Sequence, residues 1–197
     1  MVKTTKTTQW KWIVCFLLLS TVAQTSFGQK IEGFSLAFQT ESIALPFSRI
    51  SPVHPGVEFG LKLKSVTKTH SERSWHAYAG WFYHESMDQN FYLRGEYQFA
   101  YKIFKNLKLS VPLGLGYLHS FHSKPVYEQG EDGTFEEKTQ MGRPHATIHS
   151  GIGVRYVGIN TIEPFVKYDI MVQTPFVSTV PVGLRNFLKI GVNINIK

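Results

Sequence analysis

Ser120 and His122 stand two residues apart, and Glu128 follows in the same stretch of chain. Those three types are what nucleophilic hydrolysis requires: a hydroxyl, an imidazole base and a carboxylate to orient it. On a strand, residues two apart share a face, so Ser120 and His122 can act on one side, whereas the adjacent pair His149 and Ser150 point to opposite sides. His119, His122, His145 and His149 could instead converge as metal ligands. Their spacing matches no recognised site, so neither a metal nor a cofactor is expected. Glu128, Glu131, Asp132, Glu136 and Glu137 lie beside Gly130 and Gly133 without the spacing of an EF-hand, which reads as solvated loop charge. The largest charged set is dispersed: Glu58, Glu96, Glu163 and Asp169 with Lys62, Lys64, Arg94, Arg155, Lys167, Arg185 and Lys189. What it can do depends on the elements that carry it.

Those elements alternate with period two. Leu188, Ile190, Val192, Ile194 and Ile196 alternate with Lys189, Gly191, Asn193, Asn195 and Lys197, so one face of that strand is wholly aliphatic. Equivalent runs occur around 33–39, 57–64, 75–84, 91–102, 107–117, 146–156 and 162–172, which makes eight strands, and helical spacing is hard to find. Every member of the dispersed charged set falls on a polar face.

Residues 1–28 stand apart. Lys3, Lys6 and Lys11 precede an apolar run from Trp12 to Leu19 and then small polar residues, the pattern of a secretory leader with its cut before Gln29 or after Ala23. The run is too short to span a bilayer as a helix. Its Cys15 is the only cysteine, which excludes a disulfide framework and a thiolate zinc site. The chain of 197 residues carries a formal charge of +7, and three of its lysines lie in this leader. The remaining excess of base is too small, in an exported chain, to imply a nucleic-acid partner.

The expected domain is therefore 29–197, and its connections test how the strands close. Long segments (Thr40 to Gly56, His84 to Asn90, Leu118 to His145, Gln173 to Gly183) alternate with shorter ones (Ser65 to Ser74, Phe104 to Asn106, Val157 to Thr161). A membrane barrel collects its long loops at one end and its tight turns at the other. Glycine placement speaks against the rival, a soluble barrel with its apolar face inward. Gly33, Gly60, Gly80, Gly114, Gly116, Gly151, Gly153 and Gly191 fall on the polar face and only Gly95 on the apolar one, as a narrow, crowded interior needs. Aromatic residues gather towards strand ends: Phe38, Phe59, Trp81, Tyr83, Phe91 and Tyr117 at one, Trp75, Tyr101 and Tyr156 at the other. The apolar segment Ile43 to Ile50, stiffened by Pro52 and Pro55, is expected to cover the mouth.

The eight alternating runs and the closing stretch Phe187 to Lys197 resemble the small outer-membrane β-barrel proteins of the OmpA/OmpX-like type. The resemblance covers nearly all of 29–197 and implies an all-β, eight-stranded antiparallel up-and-down transmembrane barrel in the outer membrane. The usual terminal aromatic residue is replaced by Ile196 and Lys197. The resemblance implies outer-membrane lipid and lipopolysaccharide as surroundings, with surface proteins as partners of the long loops. It admits three roles: a structural or surface-interaction barrel with a plugged polar lumen, which is the expected one; a lipid-acyl hydrolase or transferase using Ser120, His122 and Glu128; or a narrow channel. In the first, Glu58, Lys62, Arg94, Glu96, Arg155, Glu163, Lys167, Asp169, Arg185 and Lys189 form a lumen charge network, because charges in a closed interior must pair.

Overall fold

The computed structural model describes residues 31–43, 53–85, 87–125, 127–129, 134–137, 142–158, 161–176 and 180–196. The chain divides into Met1–Lys30 and Ile31–Lys197, and every described residue belongs to the second unit. The leader expectation therefore lies outside the described residues, as does most of the expected cover between Ile43 and Ile50.

Among the described residues, ten strands form in chain order: β1 Gly33–Ser42, β2 Pro55–Thr67, β3 Ser71–Tyr83, β4 Asp88–Phe104, β5 Leu107–His122, β6 Tyr127–Gln129, β7 Phe135–Glu137, β8 Arg143–Tyr156, β9 Ile162–Thr174 and β10 Gly183–Asn195. Eight of them close an antiparallel barrel in the order β1-β10-β9-β8-β5-β4-β3-β2. β6 and β7 make a separate two-stranded hairpin inside the β5 to β8 connection, which sequence periodicity reads as plain loop because three-residue strands leave no period to follow. Closure satisfies every strand edge, as a lipid environment demands.

Alternation sorts the two faces as the side-chain period dictates. Phe38 (72% exposed), Leu93, Leu113, Leu115 (68%) and Ile190 point outward, while Glu58, Arg94, Glu96, Asp169 and Lys189 are buried inside. An outward apolar belt around a charged interior inverts the soluble arrangement, so the rival barrel with its apolar face inward is excluded. Trp75 and Tyr101 sit outward towards one end, and Phe38, Phe91 and Tyr117 towards the other.

The connections after β1, β3, β5 and β9 open at one end, called here the long-loop end, and those after β2, β4 and β8 at the other. The contrast is weakest between β3–β4 and β2–β3, because β4 begins at Asp88 and takes in residues expected in the loop.

One inward assignment needs correction. A β-bulge shifts the β2–β3 register between Lys62, paired with His76, and Lys64, paired with Trp75. The extra residue reverses the alternation, so Lys64 leaves the lumen and lies beside Trp75 and Tyr97 on the outer wall.

Candidate functional site

The middle of the lumen is built by alternation on four strands. β2 contributes Glu58, β4 Arg94 and Glu96, β9 Lys167 and Asp169, and β10 Lys189. The Arg94 guanidinium lies 2.9 Å from Glu58 and 3.2 Å from Glu96 through Nη2, and 3.1 Å from Asp169 through Nη1. Lys189 Nζ is 2.6 Å from Glu58 and 2.9 Å from Asp169, and Lys167 Nζ is 3.0 Å from Glu96. Three cations thus meet three carboxylates, which suits an interior where an unpaired charge is costly. Tyr92 donates its hydroxyl to Glu58 Oε2 at 2.5 Å, and the Tyr78 ring packs 4.6 Å from the Arg94 guanidinium carbon. Glycine makes room for these rings: a Cβ at Gly80 would come within 2.3 Å of Tyr92 Cζ.

His149 belongs to this layer. Arg94 Nη1 donates to its Nδ1 at 3.2 Å, which leaves Nε2 to carry the proton and donate to Thr147 Oγ1 at 2.9 Å. It therefore lies deep in the lumen and cannot join the other histidines at a mouth.

Two further layers flank the centre. Towards the short turns, Glu72 receives Lys62 at 2.9 Å, Lys108 at 2.7 Å and Arg155 at 2.5 Å, and Arg155 also reaches Glu163 at 3.2 Å. Towards the long-loop end, Arg185 holds Glu41 at 3.0 Å and Asp88 at 2.6 Å, and its Nε donates to Gln173 at 2.7 Å. The side chains of Arg94 and Glu96 have no exposed surface. A cavity of about 10 Å³ touches Lys62, His76 and Arg155, and one of about 230 Å³ opens at the long-loop end.

All ten residues of the dispersed set named for the lumen line the interior. Glu41, Glu72, Asp88 and Lys108 complete its layers outside the ten: the three acids lie beyond the strand limits that periodicity suggested, whereas Lys108 lies on the polar face at the start of its run. Glu41 carried a signal in the sequence, since it continues the inward phase of Ser35, Ala37 and Gln39.

No protein-family model matches the chain, and no curated protein matches it in sequence. Solved structures do match its fold. Neisserial surface protein A aligns at 11% identity with a TM-score of 0.53, over 83% of this chain and 95% of that one. The outer membrane enzyme PagL aligns at 12% identity with a TM-score of 0.50, over 83% of this chain and 99% of that one. The fold is that of a small outer-membrane β-barrel. At these identities the likeness is one of fold, and it agrees with the outward apolar belt, the surface by which such a barrel meets lipid.

At the long-loop end of the barrel, the two described members of the alternative hydrolytic set, Ser120 and His122, bond to different partners. Ser120 donates its hydroxyl to Asn90 Oδ1 at 2.5 Å, whereas His122 Nε2 faces Arg143 Nη2 at 3.3 Å, and the Glu128 side chain lies outside the described residues. Ser120, His122 and His145 all border the 230 Å³ cleft with Asp88 and Arg143. His145 donates through Nδ1 to the Pro175 carbonyl, and its Nε2 makes no hydrogen bond among the described residues. His119 pairs instead with Tyr117, through Nδ1 at 2.6 Å. Among the described residues the four histidines considered as a metal set do not come together as one cluster, although His122 and His145 border the same cleft.

A different pair of histidines does meet. The rings of His54, just before β2, and His84, just after β3, stack with centroids 3.7 Å apart. Burial, and then the neighbouring His54, pushes His84 below the ordinary imidazole pKa.

Proposed function

We propose that the protein is a plugged outer-membrane barrel that acts through its lipid-facing wall and its long-loop end, in a structural or surface-interaction role. The observation that carries this reading is Arg94, buried and held by Glu58, Glu96 and Asp169 in the centre of the lumen. A solute would have to separate these pairs, and breaking a buried pair costs about 3–5 kcal/mol. Residues 1–28 serve as the export leader, and 29–197 as the barrel domain. Lipid and lipopolysaccharide surround the wall, and the long connections, including the β6–β7 hairpin, are the parts free to meet surface proteins.

Hydrolysis of lipid acyl chains is not favoured, because the Ser120 hydroxyl donates to Asn90 and His122 is turned to Arg143. Planar-bilayer recording tests the leading reading. The purified protein should insert without discrete conductance steps. Reproducible single-channel steps that change in size on Glu96→Gln would overturn the plug and establish a channel.

A further inference from the structure

We propose that Glu41, His54 and His84 form a binding site for a divalent transition-metal ion at the long-loop end of the barrel. One donor atom from each residue lies within 4.8 Å of the other two, although the three come from the end of β1, the entry to β2 and the exit of β3. Two of the candidate donors are buried atoms without a hydrogen bond among the described residues, Glu41 Oε2 and His84 Nδ1. Glu41 Oε2 has His54 Nδ1 3.7 Å away, beyond hydrogen-bond length, so neither buried atom is satisfied by a hydrogen bond among the described residues, and a cation between them satisfies both.

The third donor follows from its tautomer. His54 Nδ1 lies 2.9 Å from the Glu41 carbonyl oxygen and must donate to it, so the neutral ring keeps its lone pair on Nε2, while Nδ1 also lies 3.7 Å from Glu41 Oε2. A ligating histidine oriented by a carbonyl through its other nitrogen is the usual arrangement around a bound metal.

The frame around these donors is already fixed. His54 N donates to Thr40 Oγ1 at 3.1 Å and its carbonyl accepts from Glu41 N at 3.1 Å. His84 N donates to the Asp88 carbonyl at 2.8 Å and its carbonyl accepts from Met87 N at 3.1 Å. Arg185 holds the other oxygen of Glu41, Oε1, at 3.0 Å, which turns Oε2 towards the imidazoles. Arg185 is itself paired with Asp88, so the two carboxylates outnumber the one guanidinium, and the local balance favours a cation.

Two imidazoles and one carboxylate suit Zn²⁺, Co²⁺ or Ni²⁺ and are too soft a set for Mg²⁺ or Ca²⁺. Metal–ligand bonds of about 2.0–2.2 Å set tetrahedral neighbours about 3.4 Å apart, so the three side chains must close on the ion through their torsions. A fourth position is left for water. The ion would tie the entry of β2 to the exit of β3 and fix the neighbouring long connections, independently of whether the lumen conducts.

The test is a titration of the detergent-extracted, metal-stripped protein with Zn²⁺ by calorimetry and with Co²⁺ by visible absorption. One equivalent should bind, with Co²⁺ bands of a nitrogen- and oxygen-ligated site. His54→Gln and His84→Gln should each weaken binding at least tenfold, while His122→Gln leaves it unchanged. Retention of the heat-modifiable gel shift shows that each variant is folded. Absence of a bound equivalent in the parent protein overturns the site, and so does binding that survives both substitutions in folded variants or is lost with His122→Gln.

Discussion

Arg94 on β4 and Asp169 on β9 meet at 3.1 Å across the lumen, 75 residues apart in sequence. The same guanidinium also holds Glu58 and Glu96, so its removal leaves three buried carboxylates with only Lys167 and Lys189 to answer them. Arg94→Met should destabilise the barrel by about 3–5 kcal/mol, read by guanidinium unfolding in lipid vesicles. A loss below about 1 kcal/mol, the scale of an exposed pair, would show that water reaches the middle layer.

Glu72 gives a milder case of the same physics. It is the shared acceptor of Lys62, Lys108 and Arg155, yet the two lysine side chains keep 14% and 17% of their surface exposed. Glu72→Gln should therefore cost about 1–3 kcal/mol, less than Arg94→Met, since both lysines can turn towards solvent. Added salt should recover part of that loss by screening the three cations. An unfolding midpoint shift independent of salt would rule out this cation crowding.

Two glycines separate crowding from chain flexibility. Gly80 faces the lumen, and the Cβ of an alanine there would meet Tyr92, whose hydroxyl holds Glu58. Gly95 faces outward and has nothing within 4 Å of an added Cβ. Gly80→Ala should cost about 1–3 kcal/mol, and Gly95→Ala should stay within about 0.5 kcal/mol of the parent. Equal effects would mean that the lumen yields as freely as lipid.

What was legible in the sequence is what period two encodes. Leu188 to Ile196 showed an aliphatic face because neighbours on a strand alternate, and the same rule put Glu58, Arg94 and Asp169 on the opposite one. Their partners were hidden, because Arg94 reaches Asp169 only once the barrel closes and sets β4 and β9 at matching heights. Lys64 was misplaced because a bulge adds one residue without altering local composition. His54 and His84 gave no signal, since each is a lone histidine beside a strand end and only the β2–β3 pairing joins them.

Leu115 and Gly116 are consecutive on β5 and face opposite surroundings, so they test the orientation of the whole wall. Leu115 is outward and 68% exposed, paired with Gly95 and Ile148 midway along its neighbours. An arginine there should cost about 2–4 kcal/mol in a bilayer, the penalty for a cation near the midplane of an outer-membrane barrel. Gly116 is inward, and a Cβ there would lie 2.6 Å from the Leu93 carbonyl oxygen and 2.8 Å from Arg94 Cβ. Gly116→Ala should thus destabilise by crowding although it adds only an apolar methyl. The surroundings distinguish the two mechanisms: moving from bilayer to detergent micelle lets water reach the introduced guanidinium and shrinks the cost of Leu115→Arg, whereas the clash at Gly116 is internal and persists. If Leu115→Arg were neutral in vesicles while Gly116→Ala remained costly, the outward face would not be in contact with hydrocarbon.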